Sequence, residues 1–266
     1  MSGFKLVFRE HRENIQNIWD MAIKDLKKQY SGTAIGYVWS LLKNMIYVTA
    51  YWFAIAIGLR GAKDIGYPYM AWLVVGLGAW FFIKDTLAPA AKSIRSNKYL
   101  VTKMIYPIST IPTFKVVSSF ISSLMFLPII IIILLFSGVR VDIHWIQIFY
   151  YEFALLMLLI GISWLTSALV VMSRDIEMLI SSTVFTLFWV TPILFPADNL
   201  KGALAVFMRL NPFYYAIEGF RATFLYGQWF WERPILTVYF WAVVIVMMVI
   251  GAFVHSKLRN QFVDVL

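Results

Sequence analysis

The stretch Ile180-SSTVFTLFWVTPILF-Pro196 begins as a membrane span and does not finish as one. It is apolar from Ile180 to Phe195, but Pro192 and Pro196 interrupt its far end. A proline removes a helical hydrogen bond and clashes with the preceding turn, so the helix is expected to kink or stop there. A polar turn follows at Ala197, Asp198 and Asn199, then a short amphipathic run from Leu200 to Leu210 and a second break at Asn211-Pro212. Phe213 to Phe230 is rich in aromatics yet carries Glu218 and Arg221 in its middle. A crossing needs ~20 mostly apolar residues, which neither half supplies free of charge. Two readings stay open: an outer loop with aromatic anchors, or a re-entrant helical hairpin shaping a pathway. Broken helices at membrane depth need protein or water around their freed backbone groups.

The rest of the chain agrees with a membrane setting. Its 266 residues are 61% hydrophobic and 18% aromatic, with only 14% charged. Together with long apolar runs, that balance reads as an all-α polytopic membrane protein. The formal charge of +9 suits either nucleic acid or lipid headgroups. The charges cluster between apolar runs, so membrane lipids are the expected partner and nucleic acid is not. There is no cysteine, which excludes disulfides and thiolate metal sites. His11, His144 and His255 stand too far apart to suggest a metal cluster. Charges at Lys5, Arg9, Glu10, Arg12 and Glu13 with no apolar core behind them are unlike a cleaved signal.

Residues 1–33 read as an N-terminal cytoplasmic segment and 34–266 as one transmembrane domain of about six helices. Over residues 4–30, Ile15, Ile18, Trp19, Ala22, Ile23 and Leu26 recur at helical spacing and predict one amphipathic helix lying in the membrane interface. The spans are expected near Ala34–Leu59, Tyr69–Ala91, Phe114–Phe136, Trp145–Met172, the broken stretch, and Ile235–Val254. Lys43 sits inside the first, where a central charge costs ~2.5–3.5 kcal/mol unless it meets protein, water or the interface. Pro107 and Pro112 are expected to bracket a turn before the third. Lys92, Arg95, Lys98, Lys103 and Lys115 have no acid among them, which makes that connection cytoplasmic and, two crossings earlier and four later, both termini as well.

No P-loop, metal-spaced acid pair or nucleophile elbow occurs, so neither nucleotide binding of that kind nor catalysis is expected here. Asp85, Glu152 and Glu218 are scattered rather than arranged as a relay. Aromatic rings and basic side chains remain, the materials of a conduit for a sugar or polyol phosphate. A secondary transporter would call for internal repeats and a buried ionisable relay. A lipid-phosphate glycosyltransferase would call for an acidic or metal-binding cluster.

Several runs resemble the membrane subunits of type-2 ABC exporters of cell-surface polymers, closest to the wall teichoic acid permeases. They are Asp25-LKKQ-Tyr30 with Gly36-YV-Trp39, Pro68-YMAWLVV-Gly76 with Trp80-Phe81-Phe82, and Asn97-KYLVT-Lys103 with Tyr106-Pro107-Ile108. Arg174-Asp175, Thr191-PI-Leu194, Asn211-PFY-Tyr215 and Glu218-GF-Arg221 follow in the same order. O-antigen and capsule permeases share much of this set. The resemblance implies a homodimer of membrane subunits in the bacterial cytoplasmic membrane, working with two separate ABC ATPase subunits that hold the ATP and Mg. A lipid-linked polymer would pass between the membrane subunits. Asp25, Lys98, Tyr99, Leu100, Arg174, Asp175 and Glu177 are then candidates for coupling to the ATPase. Lys24, Lys27, Lys28 and Arg95 are candidates for the substrate headgroup. Tyr37, Trp39, Trp72, Trp80, Phe81, Pro192, Phe213, Tyr214, Tyr215, Glu218 and Arg221 are candidates for the path and its gate. Glu218 and Arg221, three apart on one helical face, are expected to pair with each other or across the dimer.

Overall fold

The computed structural model describes residues 3–58, 66–104, 106–197 and 201–266. Asp198, Asn199 and Leu200 of the expected polar turn, and most of the loop expected from Arg60, lie outside them. The helices run α1 Gly3–Glu13, α2 Ile15–Tyr30, α3 Val38–Trp52 (extended by a wider turn, Phe53–Gly58), α4 Tyr69–Ala91, α5 Ser93–Ser96 and α6 Lys98–Thr102. They continue as α7 Thr110–Phe136, α8 Ile148–Met172, α9 Arg174–Val190, α10 Ala203–Leu210, α11 Pro212–Arg221, α12 Pro234–Leu258 and α13 Phe262–Val265. Among the described residues, five helical stretches, built on α3, α4, α7, α8 and α12, are long and apolar enough to cross a membrane. The fifth expected span is the 17-residue α9. At ~1.5 Å per residue it falls short of a ~30 Å hydrocarbon core. Of the about six spans expected, five are thus helices long enough to cross and the remaining one is a short helix that stops before Pro192.

α4 is the axis of the bundle, buried almost continuously from Ala71 to Ile83 and packed by α7, α8, α9 and α11. α8 and α12 approach closely because two glycines face each other. A side-chain carbon at Gly251 would lie 2.5 Å from the Gly161 carbonyl oxygen, and one at Gly161 would lie 2.8 Å from the Met248 nitrogen. Small residues at such a crossing let two backbones touch where lipid offers no hydrophobic drive. Lys43 is accommodated by Asp85 of α4, 3.5 Å away.

The single N-terminal helix expected over 4–30 is two helices. Asn14 donates its side-chain amide to the Glu10 carbonyl, a local bond that competes with helix continuation. The expected apolar face also divides. Ile18, Ala22 and Leu26 are buried against the bundle, while Ile15 and Trp19 stay exposed. Asp25 reaches Lys115 of α7 at 2.8 Å. α1 is fixed by His11, whose Nδ1–H donates to the Val7 carbonyl and whose Nε2 accepts from the Thr113 hydroxyl at 2.7 Å. Thr113 in turn accepts from the Trp164 indole at 2.9 Å. Burial holds the His11 pKa below its ordinary value. Glu10 bridges to Arg259 beyond α12 at 2.8 Å. The third span begins at Thr110 rather than Phe114, with Pro112 inside its first turn. Proline is tolerated there because its missing N–H would have had no helical partner.

Candidate functional site

The chain break that dominates the sequence is closed by one side chain. α9 ends at Val190, and the next residues turn through Thr191 to Ile193 with carbonyls that no helix satisfies. Arg221, at the last position of α11, is fully buried and supplies the donors. Its Nη1 donates to the Pro192 carbonyl at 2.8 Å and to Glu218 Oε1 at 2.6 Å, and its Nη2 donates to the Ile193 carbonyl at 2.8 Å. The guanidinium lies 3.4 Å over the Trp72 ring, and the Trp72 indole donates to the Tyr226 hydroxyl at 2.9 Å. Asn211 ties the start of α11 to the same break, donating to the Thr191 hydroxyl at 2.9 Å. Its carbonyl-type oxygen caps α11 by accepting from Phe213 N at 3.0 Å. The expected pairing of Glu218 with Arg221 is thus found within one chain.

Every residue of α11 after Pro212 is buried. Gly219 faces the Tyr151 ring, which leaves no space for a side chain there. Phe220 and Arg221 approach α4 at Gly78 and Gly76. Those glycines lie ~10–14 Å along α4 from its start, at a rise of ~1.5 Å per residue. α11 is therefore inserted between the spans, as the hairpin reading requires, and an exposed loop is excluded for it. This corrects the roles assigned to its aromatics. Phe213 is buried, and Tyr215 is locked by hydrogen bonds to Tyr150 at 2.9 Å and Thr237 at 3.0 Å and stacks on Phe240. Neither is placed to stack on a passing ligand in this conformation. Tyr214 and Glu218 do edge a polar cavity at that end of the bundle.

A second feature lies between α3, α4 and α9. A groove of about 300 Å³ is lined by Tyr47 and Tyr51 of α3, Trp80, Phe81 and Lys84 of α4, and the Ser181–Trp189 face of α9. The Lys84 ammonium sits 4.2 Å over Tyr47 and 4.7 Å over Phe81. Trp80 and Phe81 are buried and line this groove. Trp72 does not: it is spent on Arg221. Tyr37 and Trp39 are exposed at the start of α3, with Tyr37 edge-on to Tyr30. Both walls of the groove are bare. α3 exposes Leu42, Ile46, Tyr47 and Phe53, and α9 exposes Met178, Leu179, Phe185 and Trp189, with Phe188 its one buried residue.

At the basic end, Arg174 and Asp175 open α9 exposed, beside the half-buried Glu177. Ser173 caps the helix by accepting from Asp175 N. Lys98 and Tyr99 are also exposed, and no ion pair among the described residues engages Arg174. Two coupling candidates point inward instead. Leu100 is buried with Ile18, Ile94 and Phe114, since it fills the cluster under α2, and Asp25 is held by Lys115. Lys24, Lys27 and Lys28 are exposed on α2 and Arg95 is half-buried in α5, with no described bond drawing them into one site.

Residues 16–225 match the ABC-2 type transporter family of membrane proteins, most of the chain and both features above. The chain belongs to that family. It is a multi-pass membrane subunit without a catalytic role of its own, and membership implies a partner ABC ATPase. Among curated proteins it is similar to two O-antigen export system permease proteins RfbA of Klebsiella pneumoniae, 25% and 26% identical over 259 residues, covering 95% of this chain and 97% of each relative. It also resembles RfbA of Myxococcus xanthus, 21% identical over 244 residues, 91% of this chain and 92% of that one.

Lys84, the Trp72–Gly76 seat of Arg221 and the arginines Arg209 and Arg233 were not singled out from the sequence. Only the i, i+4 spacing of Trp72 and Gly76 on one helical face could have hinted at a shared role.

Proposed function

We propose that this chain is the transmembrane subunit of an ATP-powered exporter of a lipid-linked polysaccharide of the O-antigen kind. Two copies would meet through the bare faces of α3 and α9 and enclose the polymer. Two ATPase subunits carrying ATP and Mg would bind at the Lys98–Tyr99 and Arg174–Glu177 surfaces, with that end and both termini in the bacterial cytoplasm. The single observation that carries the reading is the groove of rings and Lys84 between two helices whose outward faces are bare. Rings stack on sugar faces, a lysine donates to a phosphate or a hydroxyl oxygen, and unpaired apolar walls suit a second copy. The break at Thr191–Ile193, held by Arg221, would be the outer gate.

The relatives favour O-antigen polysaccharide over teichoic acid, because their similarity spans nearly the full length and they carry that name. The teichoic acid reading rests on shared short runs alone.

The test is co-purification with the ATPase in nanodiscs. Hydrolysis should rise when lipid-linked O-polysaccharide is added and not with the lipid carrier's free alcohol. Hydrolysis indifferent to the polysaccharide, or polymer movement driven by an ion gradient without the ATPase, would overturn the reading.

A further inference from the structure

Two hollows at the end of the bundle opposite the basic connection share a wall. One is polar, about 660 Å³, and lined by Tyr67, Tyr214, Tyr226, Gln228 and Glu218 as well as Arg209 and Arg233. The other is a mostly apolar groove of about 500 Å³, made by Val206 and Leu210 of α10 and Ile235, Leu236 and Tyr239 of α12, with Glu232 at its edge. Arg209, Arg233 and Leu236 belong to both. Among the described residues lining the polar hollow, two arginines stand with one carboxylate, Glu218, which is already paired with the buried Arg221. Glu232, at the edge of the apolar groove, accepts from Trp229 N. Arg209 makes no hydrogen bond or ion pair among the described residues, and Arg233 donates only to the neutral Gln228 side chain. The loop bearing Gln228 is itself fixed, since Gln147 donates to the Gln228 carbonyl at 2.6 Å and accepts from Phe230 N at 3.1 Å.

We propose that this junction binds the phosphate of a lipid phosphate whose headgroup is a sugar. The two guanidinium groups hold the phosphate, the hydrocarbon chain lies in the α10–α12 groove, and the sugar occupies the tyrosine-lined hollow. Planar guanidinium forks match phosphate oxygens in pairs and keep their charge at any physiological pH. A site of this size encloses a sugar unit, and an amphiphile alone satisfies a cationic seam between a polar and an apolar hollow. The proposal rests on the export reading only for the owner of the lipid: in that reading it is the exported polymer's carrier at the outer leaflet.

The experiment uses the full chain in phosphatidylcholine nanodiscs and a photoreactive isoprenyl phosphoryl glucose, with labelled peptides mapped after irradiation. Labelling is expected within residues 203–239 and to be displaced by farnesyl phosphoryl glucose but not by farnesol or a tenfold excess of phosphatidylglycerol. Arg209→Gln with Arg233→Gln should cut it at least tenfold without changing thermal stability, and the double lysine variant should restore part of it. Labelling elsewhere, equal labelling of the double glutamine variant, or equal displacement by phosphatidylglycerol overturns the proposal, the last leaving an anionic phospholipid site only. Polysaccharide-stimulated hydrolysis decides the export reading separately, so either can fail while the other stands.

Discussion

The Arg221 guanidinium occupies the space that a side chain at Gly76 would need: a Cβ there would stand 2.6 Å from Nη2. The ring of Trp72, one turn away on the same face of α4, covers the guanidinium at 3.4 Å. Gly76→Ala must therefore displace a side chain already fixed by three hydrogen bonds to Pro192, Ile193 and Glu218. Overpacking of this kind costs ~1–3 kcal/mol. Thermal unfolding in detergent should show the loss, and Gly76→Ala should impair export more than Gly58→Ala, where an added carbon meets nothing closer than 3.8 Å.

Glu218→Ala leaves Arg221 buried with two carbonyls and no counter-charge. Breaking a buried pair costs ~3–5 kcal/mol, and Glu218→Gln should cost less because it still offers an oxygen acceptor. The order alanine below glutamine below wild type, read by thermal unfolding and by export, checks the pair. Equal behaviour of all three would refute it.

How much of this was legible in the sequence follows from how local each signal is. Tyr69–Ala91 was readable to the residue because an apolar run started by Pro68 carries its own boundaries. The break at Pro192 and the pairing of Glu218 with Arg221 were legible because proline and i, i+3 spacing act within one turn. The seat of Arg221 on Trp72 and Gly76 joins residues some 150 positions apart, and periodicity carries no such information. Burial of Tyr215 and Leu100 was misread for the same reason: exposure is set by which helix lies opposite. Asn14, an ordinary polar residue within an amphipathic pattern, gave no warning that it would divide the N-terminal helix.

Two ion pairs linking helices should differ in strength. Lys43 and Asp85 are more than a third exposed, so their coupling in a double-mutant cycle should stay at ~0–1 kcal/mol and weaken with salt. Asp25 and Lys115 are only 16% and 15% exposed and in direct contact at 2.8 Å. Removing either should cost ~1.5–3 kcal/mol and loosen α2, detectable as faster amide exchange across Ile15–Tyr30.

Acid should release α1. The His11 pKa is lowered by burial, against smaller raising influences from the Val7 carbonyl and Glu10. A folded-state pKa below the unfolded value means the unfolded chain binds more protons on acidification. The stabilisation is whole above about pH 6.5 and is lost as pH falls through the lowered folded value. Glu10, Arg259 and His255 are the other ionisable groups at this contact. Amide exchange of Gly3–Glu13 should accelerate between pH 7 and 5 in the wild type and much less in His11→Gln, whose side chain does not titrate.

The most direct measurement of the gate is nucleotide-dependent labelling of single cysteines at positions 214 and 228, which edge the polar hollow beside Arg221. In the complete complex with its ATPase, reagent applied from the outer face should react at rates that differ between the nucleotide-free and vanadate-trapped states. Equal labelling in both states, together with normal export by Glu218→Ala, would contradict the account.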